Sequence, residues 1–542
     1  MSAQCHITHK LHKSVCVETA GKRSVRKMTV ATNHFGKEHA GTDFEEALSK
    51  TGNGIYNVLL VVTCSLILLA IGVDLFGFSL VVTAACDLDL TISQKGILTS
   101  IPFIGILLVS YLWGYVSDTR GRRFSLVVSM QVSFVLSSLC SVCPTWQLLG
   151  LLKFISVCFS CAANSATYTL VGESCIQRMR SKYMLLMTCL ILLSPAAAAV
   201  LTYPTLKLDF RTEIWFGVSF TPWRLLTIIL AFPSGVGALA IYFFHESPKF
   251  LANCGRKEEA LEVLRCIYAM NHKQSKEEYE VKTLNMEERT SRKDMSLVRA
   301  VFEQSAPLFR PPLLWRTVQL FYIVAVVYIT NNTFLVWLAH ILNLVKLALE
   351  TSATGNICKL ISTENVVNPI NATNVASEAT PAAISPEVCV GAITDNVMFT
   401  LIASQSIFSF LNFVISYLPH RRKAVLITIL CLSSLSGCLL NLMPEPLSSV
   451  FFFVIFTCTC LGMGILASYF VDLYPTSYRG MVACLSIMVG RGSTFVGINL
   501  VGNLLFHHCQ VTFYSWSVLV LSSAIAACFL PPDVLPKYAA GT

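Results

Sequence analysis

Stretches of about twenty apolar residues recur along most of the chain, and each is long enough for an α-helix to cross the hydrocarbon core of a bilayer. Charged residues make up only 13% of the 542 residues, against roughly 25% in soluble proteins. The sequence therefore predicts an all-α membrane protein with twelve transmembrane helices. We place these spans at 56–83, 95–116, 124–143, 146–170, 183–204, 222–244, 317–343, 394–418, 424–442, 448–472, 481–505 and 511–531.

Lysine and arginine are concentrated in alternate loops between the spans. The loops in question contain Arg120, Arg122, Arg123, Arg178, Arg180, Lys182, Arg421, Arg422, Lys423 and Arg479, and the N-terminal segment is also basic. Since basic loops stay on the cytoplasmic side, both termini are expected in the cytosol. The net charge of +9 follows from this topology, and we expect no nucleic-acid partner.

The order of spans and hydrophilic segments predicts two similar halves. A cytosolic segment (1–54) precedes a six-helix bundle (55–244), a cytosolic linker (245–316), a second six-helix bundle (317–531) and a cytosolic tail (532–542). Helical spacing of apolar residues predicts short amphipathic helices in the linker, although a merely solvated linker is the alternative. Six spans on either side of a linker indicate a duplicated unit, and hence two pseudo-symmetric bundles.

The second bundle includes a long extracytoplasmic loop, 346–393, with two candidate modifications. Asn371-Ala372-Thr373 matches the acceptor pattern for N-glycosylation. The loop also contains one cysteine pair, Cys358 and Cys389, on the oxidising side of the membrane. We expect a disulfide between them.

Two motifs resemble signatures of the major facilitator superfamily. The run from Gly114 through Asp118 to Gly121-Arg122-Arg123 is similar to its signature after the second helix. His245-Glu246-Ser247-Pro248 resembles an element after the sixth helix in the sugar and organic-ion branches. Within these branches, the chain most resembles insect synaptic vesicle glycoprotein 2-like proteins, for example at Gly72-Val73-Asp74-Leu75-Phe76. The resemblance implies the two-bundle transporter fold.

The resemblance also has exceptions that bear on function. Thr119 stands where the family usually has arginine, and the seventh helix contains Asn331 and Asn332 in place of the Gln-Gln pair of sugar carriers. Hexose transport is therefore not expected.

The acid and arginines of the first motif bridge helices in one state of the family's transport cycle. Ion pairs at a helix junction can bias a two-state equilibrium by forming in only one packing arrangement. We expect such a conformational gate here, although basic residues can simply anchor the membrane surface. Its predicted members are Gly114, Asp118, Arg122, Arg123, Glu173, Arg178, Glu246, Asp472 and Arg479.

Inside the spans, Asp74 and Arg491 are expected to serve binding or coupling, since charges in a bilayer usually face a cavity or a partner. A central cavity lined by these two residues, together with several asparagines, would bind a solute. Arg491 would face an anionic group and Asp74 a cation or proton. The alternatives are a structural role for Arg491, neutralised by a buried acid, and interhelical hydrogen bonding by the asparagines. The asparagines concerned are Asn331, Asn332, Asn412 and Asn499.

The sequence predicts a secondary active or facilitative transporter of a small polar or charged organic solute, working by alternating access. A vesicle-type membrane glycoprotein with a binding role and no net transport is the alternative. No Walker segment, catalytic constellation or metal-ligand spacing occurs, so we expect no enzyme activity, cofactor or metal. The expected partners are the bilayer, the solute and a coupling proton or cation. A monomer is expected, and both the plasma membrane and secretory or synaptic vesicles remain open.

Overall fold

The computed structural model describes residues 42–214, 219–285, 306–311, 313–350, 358, 395–416, 421–474 and 476–531. Within these residues, twelve helical spans are long and apolar enough to cross a bilayer, which confirms the predicted all-α membrane fold. Spans 1 to 12 comprise Ile55–Ala84, Ile92–Arg120, Arg122–Leu139, Trp146–Ser160 with Ala162–Ser174, Gln177–Leu192 with Ser194–Leu206, Pro222–Tyr242, Leu314–Glu350, Asp395–Ser416, Arg422–Leu442, Pro446–Phe456 with Leu461–Leu473, Thr476–His507 and Cys509–Cys528.

Spans 4, 5 and 10 each consist of two helices. The break in span 5 falls just before Ser194, and Pro195 then occupies the first turn of the next helix. Proline is tolerated there because the first backbone N–H groups of a helix have no partner within it. In span 10, a short 3₁₀ segment, Thr457–Cys460, separates the two helices. In span 4, the first helix ends at Ser160 and the second begins at Ala162, with Cys161 between them.

Local sequence explains where several spans begin. Thr91 and Gln94 form a capping box at the start of span 2, so each side chain accepts a bond from the other's backbone. The Thr145 hydroxyl accepts a hydrogen bond from the Leu148 backbone N–H at the start of span 4. Spans 2 and 3 are separated by a single residue, Gly121. Its φ of 109° is one that other residues rarely adopt.

A small cap of non-spanning elements packs against the first bundle. It consists of the helices Phe44–Lys50, Pro248–Asn253 and Lys257–His272, the 3₁₀ turn Lys276–Glu278, and a parallel pairing of Thr42–Asp43 with Leu284–Asn285. Leu261, Leu264 and Ile267 are buried on one face of the longest cap helix. We call the end of the bundles that carries this cap the linker end.

The opposite end is called the loop end. There, spans 5 and 6 are connected through a short antiparallel pairing of Thr212–Glu213 with Ser219–Phe220. Arg224, at the start of span 6, is buried and donates from Nη2 to Asp87 Oδ2 at 3.0 Å. The Trp223 indole donates to the other oxygen of Asp87 at 2.7 Å. These bonds fix the loop-end corner of the first bundle.

Candidate functional site

Asp74 lies in a buried polar cluster inside the first bundle. Its Oδ1 atom is 2.6 Å from Lys153 Nζ and accepts a hydrogen bond from Ser137 Oγ at 2.7 Å. Only 5% of the Asp74 side chain and 3% of the Lys153 side chain are exposed. Lys153 Nζ also lies 5.0 Å from the centre of the Phe78 ring. Spans 1, 3 and 4 thus hold one acid and one base as a neutral pair.

Lys153 is a functional candidate that the sequence prediction missed. It is the single charged residue of Trp146–Ser160, an otherwise apolar helix. A lysine near a helix end can extend its amine to the membrane surface, so the sequence alone does not indicate that the Lys153 side chain is buried. Its position within the span, seven residues from the helix start, was the available signal.

Arg491 lies near the middle of span 11, between the two bundles. Its guanidinium carbon is 5.6 Å from the centre of the Phe103 ring of span 2 and 5.8 Å from that of the Tyr328 ring of span 7. The Nε atom is buried without a hydrogen-bond partner. Among the described residues, no carboxylate lies within ion-pair distance of Arg491. The structure therefore does not bring Asp74 and Arg491 together.

The four predicted asparagines are also distributed over separate places. Asn331 donates to Asn332, which in turn donates to Thr494 Oγ1 at 3.1 Å, and this chain joins spans 7 and 11. Asn412 of span 8 contacts the Cys189 sulfur of span 5 at 3.8 Å. These contacts fit the interhelical role that was the alternative to ligand binding.

Arg122, a buried side chain at the linker end, contacts two acids of the predicted gate. Arg122 Nη2 is 3.0 Å from Asp118 Oδ1, and Nε is 3.0 Å from Glu173 Oε2. The guanidinium also lies 4.9 Å from the centre of the Phe250 ring of the cap. Ser247 Oγ donates to the same oxygen of Glu173. Spans 2, 3 and 4 and the cap are thereby connected through one arginine.

Glu246 has a different role at the same place. Its carboxylate accepts the backbone N–H groups of Arg122 at 2.8 Å and Arg123 at 3.0 Å. A negative charge at a helix N-terminus is stabilised by these unpaired N–H groups. A Cβ atom at Gly121 would lie 2.3 Å from Glu246 Oε2. Glycine is therefore needed at this junction for its conformation and for its size.

Other predicted gate residues lie apart from this cluster. Arg178 is exposed, whereas Glu173 pairs with Arg122. Arg180, two residues on, pairs with Glu45 of the cap at 2.8 Å. A Cβ at Gly114 would have open space around it. The side chains of Asp472 and Arg479 lie outside the described part of the chain.

The predicted disulfide between Cys358 and Cys389 is wrong. Cys358 is bonded to Cys509 at the start of span 12, with the two Cα atoms 5.4 Å apart. A sulfur atom forms only one disulfide bond, so Cys358 is not available to pair with Cys389. The bond joins Cys358 to the start of span 12. Cys389 itself and the glycosylation candidate Asn371 lie outside the described residues.

Several polar contacts join the two bundles. Lys207 Nζ at the end of span 5 lies 2.9 Å from Asp395 Oδ2 at the start of span 8. Asn499 of span 11 donates to Ser100 Oγ of span 2 at 2.9 Å. Nearer the middle, Ser409 donates to the Cys189 carbonyl oxygen at 3.0 Å. These contacts run from the loop-end rim to the level of Arg491.

Comparison with known proteins identifies the family. The sequence profile described as Major Facilitator Superfamily matches residues 62–363, more than half of the chain. The chain belongs to the Major Facilitator Superfamily. This confirms the resemblance seen in the motifs around Asp118 and Glu246 and the expectation of a membrane-embedded transporter fold.

The named relatives are distant from this chain in sequence. Rat synaptic vesicle glycoprotein 2A is 24% identical over 237 residues, which cover 43% of this chain and 32% of the relative. Rat synaptic vesicle glycoprotein 2C is 24% identical over 251 residues, or 46% and 34% of the two chains. The match thus spans about a third of the length of these relatives.

The fold is also similar to that of a bacterial sugar transporter. A partially occluded inward open structure of the xylose transporter XylE from E. coli superposes with a TM-score of 0.61 and 12% identity, covering 88% of this chain and 98% of that one. Its inward open structure gives a TM-score of 0.60, with 13% identity and coverage of 89% and 98%. At this identity the likeness concerns the fold alone.

Proposed function

We propose that this superfamily member carries a small polar or charged organic solute across the bilayer by alternating access. The proposal rests on the distribution of contacts between the bundles. Lys207 with Asp395 and Asn499 with Ser100 join them near the loop end. At the linker end, the space beside Gly114 in span 2 is open. This asymmetry fits one of the two states that alternate during transport.

The expected orientation makes this an inward-facing state. Basic loops place the linker end in the cytosol, as argued from the positive-inside rule. Two of the structures that superpose on this chain are of a xylose transporter described as inward open and as partially occluded inward open. Closure of the linker end would complete the cycle, and the cluster of Arg122, Asp118 and Glu173 would act as a latch. Arg123, Glu246, Arg178, Asp472 and Arg479 are further candidates for that latch.

Two buried sites would divide the work of transport. Arg491, between the bundles, would bind the solute. Asp74, paired with Lys153 inside the first bundle, would accept the coupling proton or cation. Protonation of Asp74 would leave the Lys153 ammonium without its counter-charge, and such a buried charge is costly. The first bundle would then rearrange to hydrate or re-pair the lysine, which links proton binding to helix movement.

Similarity to synaptic vesicle glycoproteins 2A and 2C favours a second candidate function. In this alternative the chain is a vesicle-type membrane glycoprotein that binds a partner without net transport. Asn371 would carry its glycan. Plasma membrane and vesicle membrane both suit the proposed transporter, and we propose a monomer in either.

Uptake measurements separate the two candidates. The chain would be expressed in oocytes or reconstituted into vesicles, and labelled organic ions would be screened with wild type, Arg491→Ala and Asp74→Asn. Saturable uptake that both substitutions abolish supports transport. Arg316→Gln, a change at an exposed arginine at the start of span 7, is the control and should transport normally. No uptake of any solute, despite normal delivery to the membrane, supports the binding role.

A further inference from the structure

We infer that the site around Arg491 takes an organic anion with a single negative charge and an apolar, preferably aromatic, body. This inference deepens the proposed function and rests on it. It starts from a cationic side chain near the middle of the bundle interface that has no counter-ion among the described residues. An unpaired charge in such a place is costly unless a partner arrives from outside the protein.

The guanidinium is not satisfied within the described structure. Its Nε atom is buried and makes no hydrogen bond. The nearest favourable groups are the faces of Phe103 and Tyr328, at 5.6 and 5.8 Å from the guanidinium carbon. These distances are at the outer limit of about 6 Å for cation–π attraction, which replaces only part of a lost ion pair. A carboxylate or sulfonate can satisfy the planar guanidinium with two parallel hydrogen bonds.

The walls near Arg491 are apolar. Phe103 belongs to a cluster that crosses between the bundles and includes Ile106 of span 2, Val336 of span 7 and Ile498 of span 11. Phe495, one turn beyond Arg491, packs on the same cluster. Such walls suit a hydrocarbon or aromatic body, whereas a small hydrated inorganic ion would lose its water without compensation.

The same surroundings disfavour a sugar. A polyhydroxyl solute needs several hydrogen-bonding groups that are free to bind it, since each buried hydroxyl requires a partner. On span 7, Asn332 already donates to Thr494, and Asn331 donates to Asn332. The Asn499 amide donates to Ser100 and to the Phe495 carbonyl oxygen.

One positive charge also limits the solute to one negative charge. Lys153, a buried cation inside the first bundle, is neutralised by Asp74 at 2.6 Å. A dianion would therefore bring a second negative charge. Among the described residues, no cation at this level of the interface would balance that charge, and an unbalanced charge is costly in low-dielectric surroundings. The charge match selects monocarboxylates and monosulfonates.

Ligand-induced thermal stabilisation of the purified full chain tests this inference without requiring transport. The probes are benzoate and 2-naphthoate, with benzamide and benzylamine as neutral and cationic analogues of similar shape, and D-xylose as the polyol. We expect saturable stabilisation by the two carboxylates only, and weaker binding of acetate, which lacks the apolar body. Stabilisation by benzylamine or D-xylose in preference to the carboxylates would overturn the inference, as would no effect of either carboxylate.

Two substitutions at Arg491 assign the effect to this site. Arg491→Met should weaken the apparent affinity for 2-naphthoate at least about tenfold, and Arg491→Lys should retain part of it. Arg316→Gln should bind like wild type. Equal affinity in wild type and Arg491→Met would contradict the inference, and the wild-type charge series stands even if Arg491→Met fails to fold.

Uptake of the same probes distinguishes failure of the inference from failure of the proposed function. Carboxylate binding without uptake into proteoliposomes supports the site assignment and contradicts transport. Saturable uptake of benzylamine or D-xylose, with none of the carboxylates, supports transport and contradicts the site assignment.

Discussion

Lys153 Nζ lies 2.6 Å from Asp74 Oδ1, and hardly any of either side chain is exposed. Ser137 completes the cluster by donating to the same oxygen. Two opposite charges at this depth cancel, so the bundle contains no net charge at this point. Removing one partner leaves the other charge buried and unpaired, which costs about 3–5 kcal/mol in comparable cases.

We therefore expect Asp74→Asn and Lys153→Met each to lower the unfolding temperature of the purified protein markedly. The double variant should be closer to wild type than either single variant, because it removes both charges together. The unfolding temperatures of wild type, the two single variants and the double variant would be measured in detergent. Additive losses in the double variant would mean that the two side chains stabilise the bundle independently of each other.

The carboxylate of Glu246 caps the N-terminus of span 3 by accepting the N–H groups of Arg122 and Arg123. Loss of such a cap costs about 1–2 kcal/mol. Glu246→Ala should accordingly lower the unfolding temperature. Glu445→Ala is the control, because Glu445 is an exposed acid at the start of span 10 whose side chain makes no capping bond. Equal effects of the two changes would rule out the capping role.

The spans were predictable because each depends on a local property, about twenty apolar residues in a row. The ion pair of Arg122 with Asp118 joins two residues of one motif, four positions apart, whereas Glu173, the second partner of Arg122, is 51 residues away. Pairings between distant segments were harder. Lys153 and Asp74 are 79 residues apart, and nothing in either span indicates which helices are neighbours.

The same limit applies to the cysteines and asparagines. Cys358 was assigned to Cys389 because both lie in one loop, yet its partner Cys509 is 151 residues away and at the start of a span. The sequence leaves solute binding and interhelical hydrogen bonding open for Asn499, and the structure shows its amide donating to Ser100 across the bundle interface. Residue type and depth in a span were readable from the sequence, whereas the partner depends on helix packing.

Peptide mapping under non-reducing conditions should recover Cys358 linked to Cys509. Cys358→Ser and Cys509→Ser should each reduce stability, by about 2–5 kcal/mol, with no further loss in the double variant. In Cys389→Ser the link between Cys358 and Cys509 should persist. A peptide joining Cys358 to Cys389 would instead restore the expectation from the sequence.

His245 makes stability depend on pH at the cap. Burial lowers the pKa of His245, and the nearby Arg123 and Lys276 act in the same direction, while Glu262 opposes them. Tyr56 packs against the ring. The unfolded chain, with a histidine pKa of about 6.5, therefore binds the proton more readily than the folded chain. Below that pH the unfolded state gains protons first, so stability falls as the pH falls.

His245→Gln should reduce this loss. The unfolding temperature would be measured at about pH 7 and pH 5, and the difference between the two should be smaller in the variant than in wild type. His272→Gln, at an exposed histidine of the same cap, is the control and should keep the wild-type difference. An unchanged difference in His245→Gln would assign the pH dependence to other groups.

The contact between Ser100 and Asn499 offers a way to hold the loop end closed. The two side chains are within hydrogen-bond distance across the interface, at 2.9 Å. Ser100→Cys with Asn499→Cys should form a disulfide on mild oxidation. If the bundles alternate, closing one end keeps the other open, so the linker end beside span 2 should stay accessible in the cross-linked protein.

Accessibility can be read at Gly114, where a new side chain has open space. In a Gly114→Cys background, the cross-link should maintain or increase the rate of maleimide labelling, and reduction should return it to the starting value. The same oxidation of Ser100→Cys alone or Asn499→Cys alone should change nothing, and protein without Gly114→Cys gives the background from native thiols. Slower labelling after cross-linking would mean that closing the loop end also closes the linker end. The two halves would then not alternate as rigid bundles around Arg491.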